Sequence, residues 1–339
     1  MLTFASTHAL VHWAGSGSQQ PPAADADRNG LPDYVERVVA AVEKARAFYV
    51  AAGFPVPASD DSGLIDIYLV KTGDFDGLTV PDEASGPFVL LSTEIDTSAA
   101  SGYLERDAAH ELFHLVQYEL DRLDAPSWVL EGSAEYMSSL VYPYEAQTAT
   151  AESVWAELYE QPRSLNDSPY AASGFFVFLG SPDLLKVILA PQQPLDLSLT
   201  AFGKGTLATA WAHYTRVLAV SRWVPATALR PARTLALTLP ALSFQKLSLH
   251  LGACAQTITL TIANRSGSAL DRATLDLSGR MLELPRQADG SMKLSVHLNA
   301  RQAHGALLVI SQAGEGDAPA SFEVGLVRTP VLCPAARPA

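Results

Sequence analysis

Hydrophobic residues change their period once along this 339-residue chain, and that change limits what it can fold into. Beyond about residue 236, the segments 257–264 (TITLTIAN), 273–279 (ATLDLSG), 293–299 (KLSVHLN), 306–311 (ALLVIS) and 321–327 (SFEVGLV) alternate apolar and polar residues. Period two puts one face of each run on a core, so 237–339 is expected to be an all-β accessory domain of sandwich type. Upstream, apolar residues recur at helical spacing. Val35, Val38, Val39, Val42, Ala45 and Tyr49 line one face over 33–53. Leu112, Val116, Leu120 and Leu123 do so over 104–123. Pro126 stops that helix, and Ser127 can cap the next, 128–140. More helices are expected at 149–159, 171–179 and 206–218, and strands at 7–13, 64–70 and 87–92, with a linker at 15–24. The fold class is therefore α+β. A mainly helical domain with a small β-sheet occupies 1–236 and precedes the β domain.

Composition removes several functions. With 48% hydrophobic residues the chain has ample core material, which excludes general disorder. No stretch approaches the roughly 18–20 apolar residues that span a bilayer. A net charge of −13 argues against nucleic acid or an anionic membrane as the main partner. Residues 1–160 hold 26 of the 36 acidic side chains and 7 of the 23 basic ones, so the acid is concentrated in the first part. Cys254 and Cys333 have no Cys or His at zinc-site spacing. They are two free thiols or one disulfide, which would close a loop worth about 4.5 kcal/mol. Met1–Ala5 lacks the charged and apolar regions of a signal peptide, so either the signal has been removed from this chain or export is absent. A monomer is the default expectation.

The chemistry sits in Ala109-His110-Glu111-Leu112-Phe113-His114. On a helix, residues four apart share a face, so both imidazoles can grip one ion. Glu111 lies at the edge of that face, where it can accept the proton of a water that zinc polarises. A catalytic zinc needs a third protein ligand and an open position. The next helix offers Glu131 and, one turn on, Glu135. Either carboxylate can serve, and the other can orient a zinc histidine. His8 and His12 also sit four apart, but on a strand that separates them by roughly 13 Å. His250, His297 and His304 read as surface residues of the β region.

A second constellation lies upstream. Asp25-Ala-Asp27-Arg-Asn29-Gly30-Leu31-Pro32-Asp33-Tyr-Val-Glu36 follows the D-x-[DN]-x-[DN]-G-x5-E spacing of a calcium loop. Asp25, Asp27, Asn29, the Leu31 carbonyl, Asp33 and a bidentate Glu36 would supply the oxygens. No helix precedes the loop and Pro32 replaces an aliphatic residue, so it is half an EF-hand, similar to the calcium loops of dockerins. Its metal-free alternative is an acidic turn capping the following helix.

HELFH followed by WVLEGSAEY resembles the gluzincin metallopeptidases, whose pattern is HExxH, a spacer, then W-x-x-E-G-x-A. The resemblance implies a zincin-like catalytic domain with Glu131 as third zinc ligand. Ser168-Pro169-Tyr170 with Gly174-Phe175 is similar to the P-Y-x-K-G-F segment of aminopeptidase-type members, which makes Tyr170 a candidate oxyanion donor. His213 in Trp211-Ala-His213-Tyr214 is the rival, because thermolysin-like members use a downstream histidine. Related zincins place an edge strand before the zinc helix, here 88–92, and peptide substrate adds to it; the alternative is a buried sheet strand. The order of calcium-loop motif, helix, IDIYLV, HExxH helix and W-x-x-E-G resembles predicted secreted bacterial metallopeptidases of myxobacterial type, over roughly residues 5–250.

The expectation is a secreted, extracellular or periplasmic zinc endopeptidase with a structural Ca²⁺ site, acting on peptide or protein. An aminopeptidase is the nearest alternative. That class carries a G-x-M-E-N segment whose glutamate holds the substrate amine, and in GPFVLLSTEI only Glu94 can stand in. The alternative from another class is a calcium-stabilised binding or adhesion protein with an inactive zincin shell.

Overall fold

The structure is a computed structural model. It describes residues 1–56, 63–82, 86–95, 97, 102–122, 124–143, 163–190, 194–219, 226–251, 255–265, 272–277, 280–299, 302, 306–313 and 319–330. The expected helix at 149–159, Leu123, His304 and both cysteines, Cys254 and Cys333, lie outside these residues. The fold class is α+β with several β-sheets. The chain divides into two compact units, Met1–Ala151 with Ala172–Pro194 and Glu152–Ala171 with Leu195–Ala339.

The first unit is built on a five-stranded sheet of order β1-β2-β3-β5-β4, with β1 Leu2–Ala5, β2 Ala9–Trp13, β3 Ile65–Val70, β4 Gly77–Val80 and β5 Phe88–Ser92. The three central strands run parallel, and β1 and β4 are antiparallel edges. One sheet face is apolar and buried through Ala9, Val11, Trp13, Ile65, Ile67, Leu69, Val89 and Leu91. Helix α1 (Asp33–Ala51) buries Val35, Val38, Val42, Ala45 and Tyr49, the stripe read from sequence apart from half-buried Val39. Its C-terminus closes through Gly53 at φ +84, with Phe54 N–H donating to the Tyr49 carbonyl at 2.9 Å. Only glycine adopts that backbone cheaply, and the resulting turn drives Phe54 back into the core against Phe113.

Helix α2 (Tyr103–Glu119) packs between α1 and α3 (Ser127–Val141). The Tyr49 hydroxyl donates to the Ala109 carbonyl at 2.9 Å, tying α1 to the middle of α2. The sequence predicted a helix through residue 123. It ends at Glu119 because Asp121 turns left-handed at φ 53. Ser127 was expected to cap α3, but it is the first helical residue and Pro126 holds the cap position. Helix α4 (Ser173–Leu179) lays Phe176 against Trp128, with ring centroids 6.1 Å apart. Helix α5 (Pro182–Ile188) follows, its Ser181 side chain accepting from Leu184 N–H.

The strand at 88–92 is a correction. It is not an edge: β5 is paired on both sides, and β4 outside it is the edge.

The second unit holds helices α6 (Leu195–Ala201) and α7 (Leu207–Ala219) and strands β6 Thr227–Leu229, β7 Thr234–Leu239, β8 Ser243–Leu249, β9 Gln256–Asn264, β10 Arg272–Leu277, β11 Arg280–Glu283, β12 Met292–Leu298, β13 Ala306–Gln312 and β14 Ala320–Pro330. These form a five-stranded sheet β11-β10-β13-β8-β6 and a four-stranded sheet β12-β9-β14-β7. One cluster of buried side chains draws on both, with Leu247, Leu275, Leu308 and Ile310 from the first and Ile258, Leu260, Phe322 and Val324 from the second. Period-two patterning has this cause: each strand gives alternate residues to the shared core. Helix α7 packs on β10 and β13, and Trp211 Nε1 donates to the Ser243 carbonyl at 3.4 Å. That packing explains why 195–236 groups with the β strands, whereas the sequence placed one boundary at 236/237. No helix among the described residues is long and apolar enough to cross a membrane.

Gly132 is where α3 meets the start of α4. A Cβ there would lie 2.6 Å from Ala172 Cβ and 3.0 Å from Phe176. Alanine in a helix interior normally gains about 1 kcal/mol over glycine. Here Gly132→Ala is expected to lower stability by about 1–3 kcal/mol in denaturant titration; a gain would show that α3 and α4 can separate without cost.

Candidate metal centre

Helix α2 carries His110 and His114 one turn apart, and α3 returns beside it with Glu131. The His110 and His114 Nε2 atoms are 3.1 Å apart. Glu131 Oε2 lies 3.2 Å from the first and 3.4 Å from the second. Three donor atoms thus form a nearly equilateral triangle. Tetrahedral zinc with bonds of about 2.0–2.1 Å sets its ligand atoms about 3.3 Å apart, so the donor set fits that ion in both type and spacing.

Glu135 approaches His110 from the other side, with Oε2 3.4 Å from Nδ1. The two glutamates therefore differ in reach: Glu131 faces the converging nitrogens and Glu135 faces the outer nitrogen of one ring. Glu111 lies within 4.8 Å of both histidine donors, but its contacts are different. Its Oε2 accepts from the Thr79 hydroxyl at 2.9 Å, and the same hydroxyl lies 2.8 Å from the Glu111 carbonyl. A Cβ on Gly77 would lie 2.6 Å from Glu111 Cγ, so only a bare backbone on β4 admits the glutamate at this depth.

His114 turns its Nδ1 to Gln117 Oε1 at 2.7 Å. Gln117 is fully buried, and its Nε2 donates to the Leu130 carbonyl and to Ser133 Oγ, each at 2.9 Å. Sequence reasoning missed Gln117, Thr79 and Gly77. Gln117 was legible in principle, being three residues after His114 on the same helix face. Thr79 and Gly77 were not, since β4 has only four residues and shows too little periodicity.

Burial opposes charge on His110, yet hydrogen bonds to Glu131 and Glu135 outweigh it and push the imidazole up to about 10. Burial likewise opposes charge on Glu131, but His110 and His114 hold its carboxyl well below the ordinary range. Burial raises Asp107, one turn earlier on α2, to about 7. The cluster is an anionic pocket that calls for positive charge, which a proton on His110 or a metal ion supplies.

Two further histidines of the first unit have partners of their own. His8 pairs with Glu43 at 2.7 Å, and His12 pairs with Asp66 at 2.6 Å while stacking on Tyr68. Each has its own carboxylate; His12 lies on β2, whereas His8, expected on the same strand, sits in the bend just before it. His250 and His297 are exposed. Tyr170, 52% exposed in the 3-10 turn Pro169–Ala172, and exposed His213 on α7 both belong to the second unit.

The calcium-loop residues form one network. Asn29 and Gly30 N–H groups donate to the Asp25 carboxylate at 3.1 and 3.0 Å, and Ala26 N–H donates to Asp33 at 3.0 Å. The Asn29 amide nitrogen bridges Asp27 at 3.0 Å and Glu36 at 2.7 Å. Leu31 N–H donates to Asn29 Oδ1 at 2.8 Å, and Gly30 takes φ +88.

No family model matches the chain, and no curated protein matches it. Among solved structures it is similar to the 1.0 Å crystal structure of the pre-peptidase C-terminal domain of a collagenase from Bacillus anthracis. That likeness covers 30% of this chain and 94% of the other, at 11% identity and a TM-score of 0.26. A likeness at that level says nothing about chemistry.

A group bound more tightly to its proton in the folded chain stabilises it fully below the unfolded value and ceases to above the folded one. For His110 that window runs from 6.5 to about 10. Thermal stability of the metal-free protein is expected to fall as pH rises through it. His110→Asn should flatten the fall, as read by melting temperature against pH.

Proposed function

We propose that this chain is a zinc-dependent endopeptidase, with a zincin-like first unit and a β-sandwich accessory unit. The observation that carries the reading is the triangle of His110 Nε2, His114 Nε2 and Glu131 Oε2, with edges of 3.1–3.4 Å. Those three residues would hold zinc, and Glu135 would orient His110 through Nδ1. Zinc, when bound, supplies a Lewis acid that polarises a carbonyl and makes water a better nucleophile.

Glu111 is the general base. It stands beside the ligand triangle without joining it, and the Thr79 hydroxyl holds Oε2, which leaves Oε1 to take the proton of the attacking water. The same carboxyl then returns the proton to the departing amine. On the resemblance to gluzincin segments alone, Tyr170 would be the donor to the oxyanion, with His213 as its rival. Edge strand β4, flanking Glu111, is the backbone to which an extended peptide would add.

Glu94 supports cleavage within chains over removal of N-terminal residues. It alone could replace the amine-holding glutamate of aminopeptidases, and Lys71 Nζ occupies it at 2.5 Å. Hydrolysis of casein and of N-terminally blocked peptides is expected to stop on adding a zinc chelator. Glu111→Gln should lower it by about 10²–10⁴-fold. Activity that survives Glu111→Gln would sink the mechanism, and cleavage confined to free N-termini would make the protein an aminopeptidase.

We also propose that the loop at 25–36 binds Ca²⁺ as a structural ion, which suits an exported protein meeting millimolar calcium. Its support is the convergence of Asp25, Asp27, Asn29, Asp33 and Glu36 on one turn. Melting temperature should rise with millimolar calcium and lose that response in Asp25→Ala/Asp27→Ala. An unchanged melting curve would leave the loop a metal-free acidic turn ahead of α1, whose cap position Pro32 holds without a side-chain hydrogen bond.

A further inference from the structure

Gln117 connects two parts of the metal centre that the motifs treat separately. The Leu130 carbonyl can only accept, so the nitrogen of the Gln117 amide must face it, at 2.9 Å. Ser133 Oγ agrees with this orientation: it donates to the same carbonyl at 3.2 Å and accepts from Gln117 at 2.9 Å. The amide oxygen is thereby fixed toward His114, and it can only accept. His114 Nδ1, 2.7 Å away, must therefore carry a proton, and in the neutral ring this leaves the Nε2 lone pair pointing at His110 and Glu131.

The other end of the amide grips α3 at Leu130, next to Glu131 in the chain. Gln117 is completely excluded from solvent, so water cannot replace either contact. One side chain thus fixes the ring state of one candidate ligand and the backbone beside another.

We propose that Gln117 is a positioning residue of the metal centre. Its oxygen sets the His114 tautomer, and its nitrogen locks α2 to the turn of α3 that bears Glu131. This rests on the proposed zinc reading for its purpose, though the tautomer claim stands on geometry alone. Removing such a partner from a ligating histidine typically weakens metal binding by about 10–100-fold.

The test uses two variants of the full chain and three readouts. Side-chain nitrogen NMR of the metal-free protein is expected to show His114 protonated on Nδ1, and Gln117→Leu should shift it toward the other tautomer. Zinc affinity, measured by chelator competition, should fall by about 10–100-fold in Gln117→Leu. Gln117→Glu keeps an acceptor for His114 but sets a carboxylate against the Leu130 carbonyl. It should hold wild-type zinc affinity while the melting temperature of the metal-free protein drops. Affinity would then follow the acceptor and stability the donor, a split that lost packing alone does not produce. A Gln117→Leu protein with wild-type zinc affinity and an unchanged Nδ1–H tautomer overturns the proposal. If wild type takes up no zinc, the metal reading falls, and the tautomer measurement still decides the part played by Gln117.

Discussion

Residues 108–113 of α2 are all buried, so this stretch of helix has no face left for solvent. It must satisfy an apolar sheet and α1 on one side and a polar seam with α3 on the other. Buried polar groups cost free energy unless each finds a partner, and buried charges cost more. The seam meets that demand with matched chemistry: two imidazoles against two glutamates, and an amide spanning both helices. Much of the first unit can be understood as holding that seam closed. Tyr49 anchors α2 from behind, the turn at Gly53 wedges Phe54 against Phe113, and Trp128 with Phe176 braces α3 from outside.

Sequence patterning reached the parts of this arrangement that are local and repetitive. His110 and His114 are one helical turn apart, and that distance follows from the backbone alone. The β runs at 257–264, 273–277, 293–298, 306–311 and 321–327 lie on the strands β9, β10, β12, β13 and β14, because each is long enough for alternation to show. Edge strands β1 and β4 are four residues each, half-exposed or exposed, and carry little hydrophobic signal. Missing β4 caused a second error, since without it the strand at 88–92 reads as the border of the sheet. The end of α2 was placed late because Leu120 continues the apolar stripe, whereas the left-handed backbone at Asp121 leaves no mark in hydropathy.

The assignment of carboxylates shows the same division. Glu131 and Glu135 share one helix face, so spacing alone could not rank them. Their separation comes from how α3 lies along α2, with Gly132 allowing the close approach to α4 that fixes its position. Long-range placement of this kind is a tertiary property. It also explains why the acidic excess of residues 1–160 has no single cause: part of it meets histidines in the seam, part meets backbone N–H groups in the loop at 25–36, and part forms pairs such as Arg37 with Glu105.

The bare backbone at Gly77 has a further consequence, for alignment within the sheet. Strand β4 pairs with β5 so that Gly77 stands opposite Leu91, and this alone puts a residue without a side chain against Glu111. Sliding the strand by one position would present Asp76 or Leu78 instead. Either would drive a side chain into a space where even one carbon comes within 2.6 Å. A short border strand is ordinarily free to slip, since few contacts define its pairing. Here the buried glutamate acts as a gauge that accepts one alignment and rejects its neighbours, so the proposed catalytic side chain also determines how the sheet is put together.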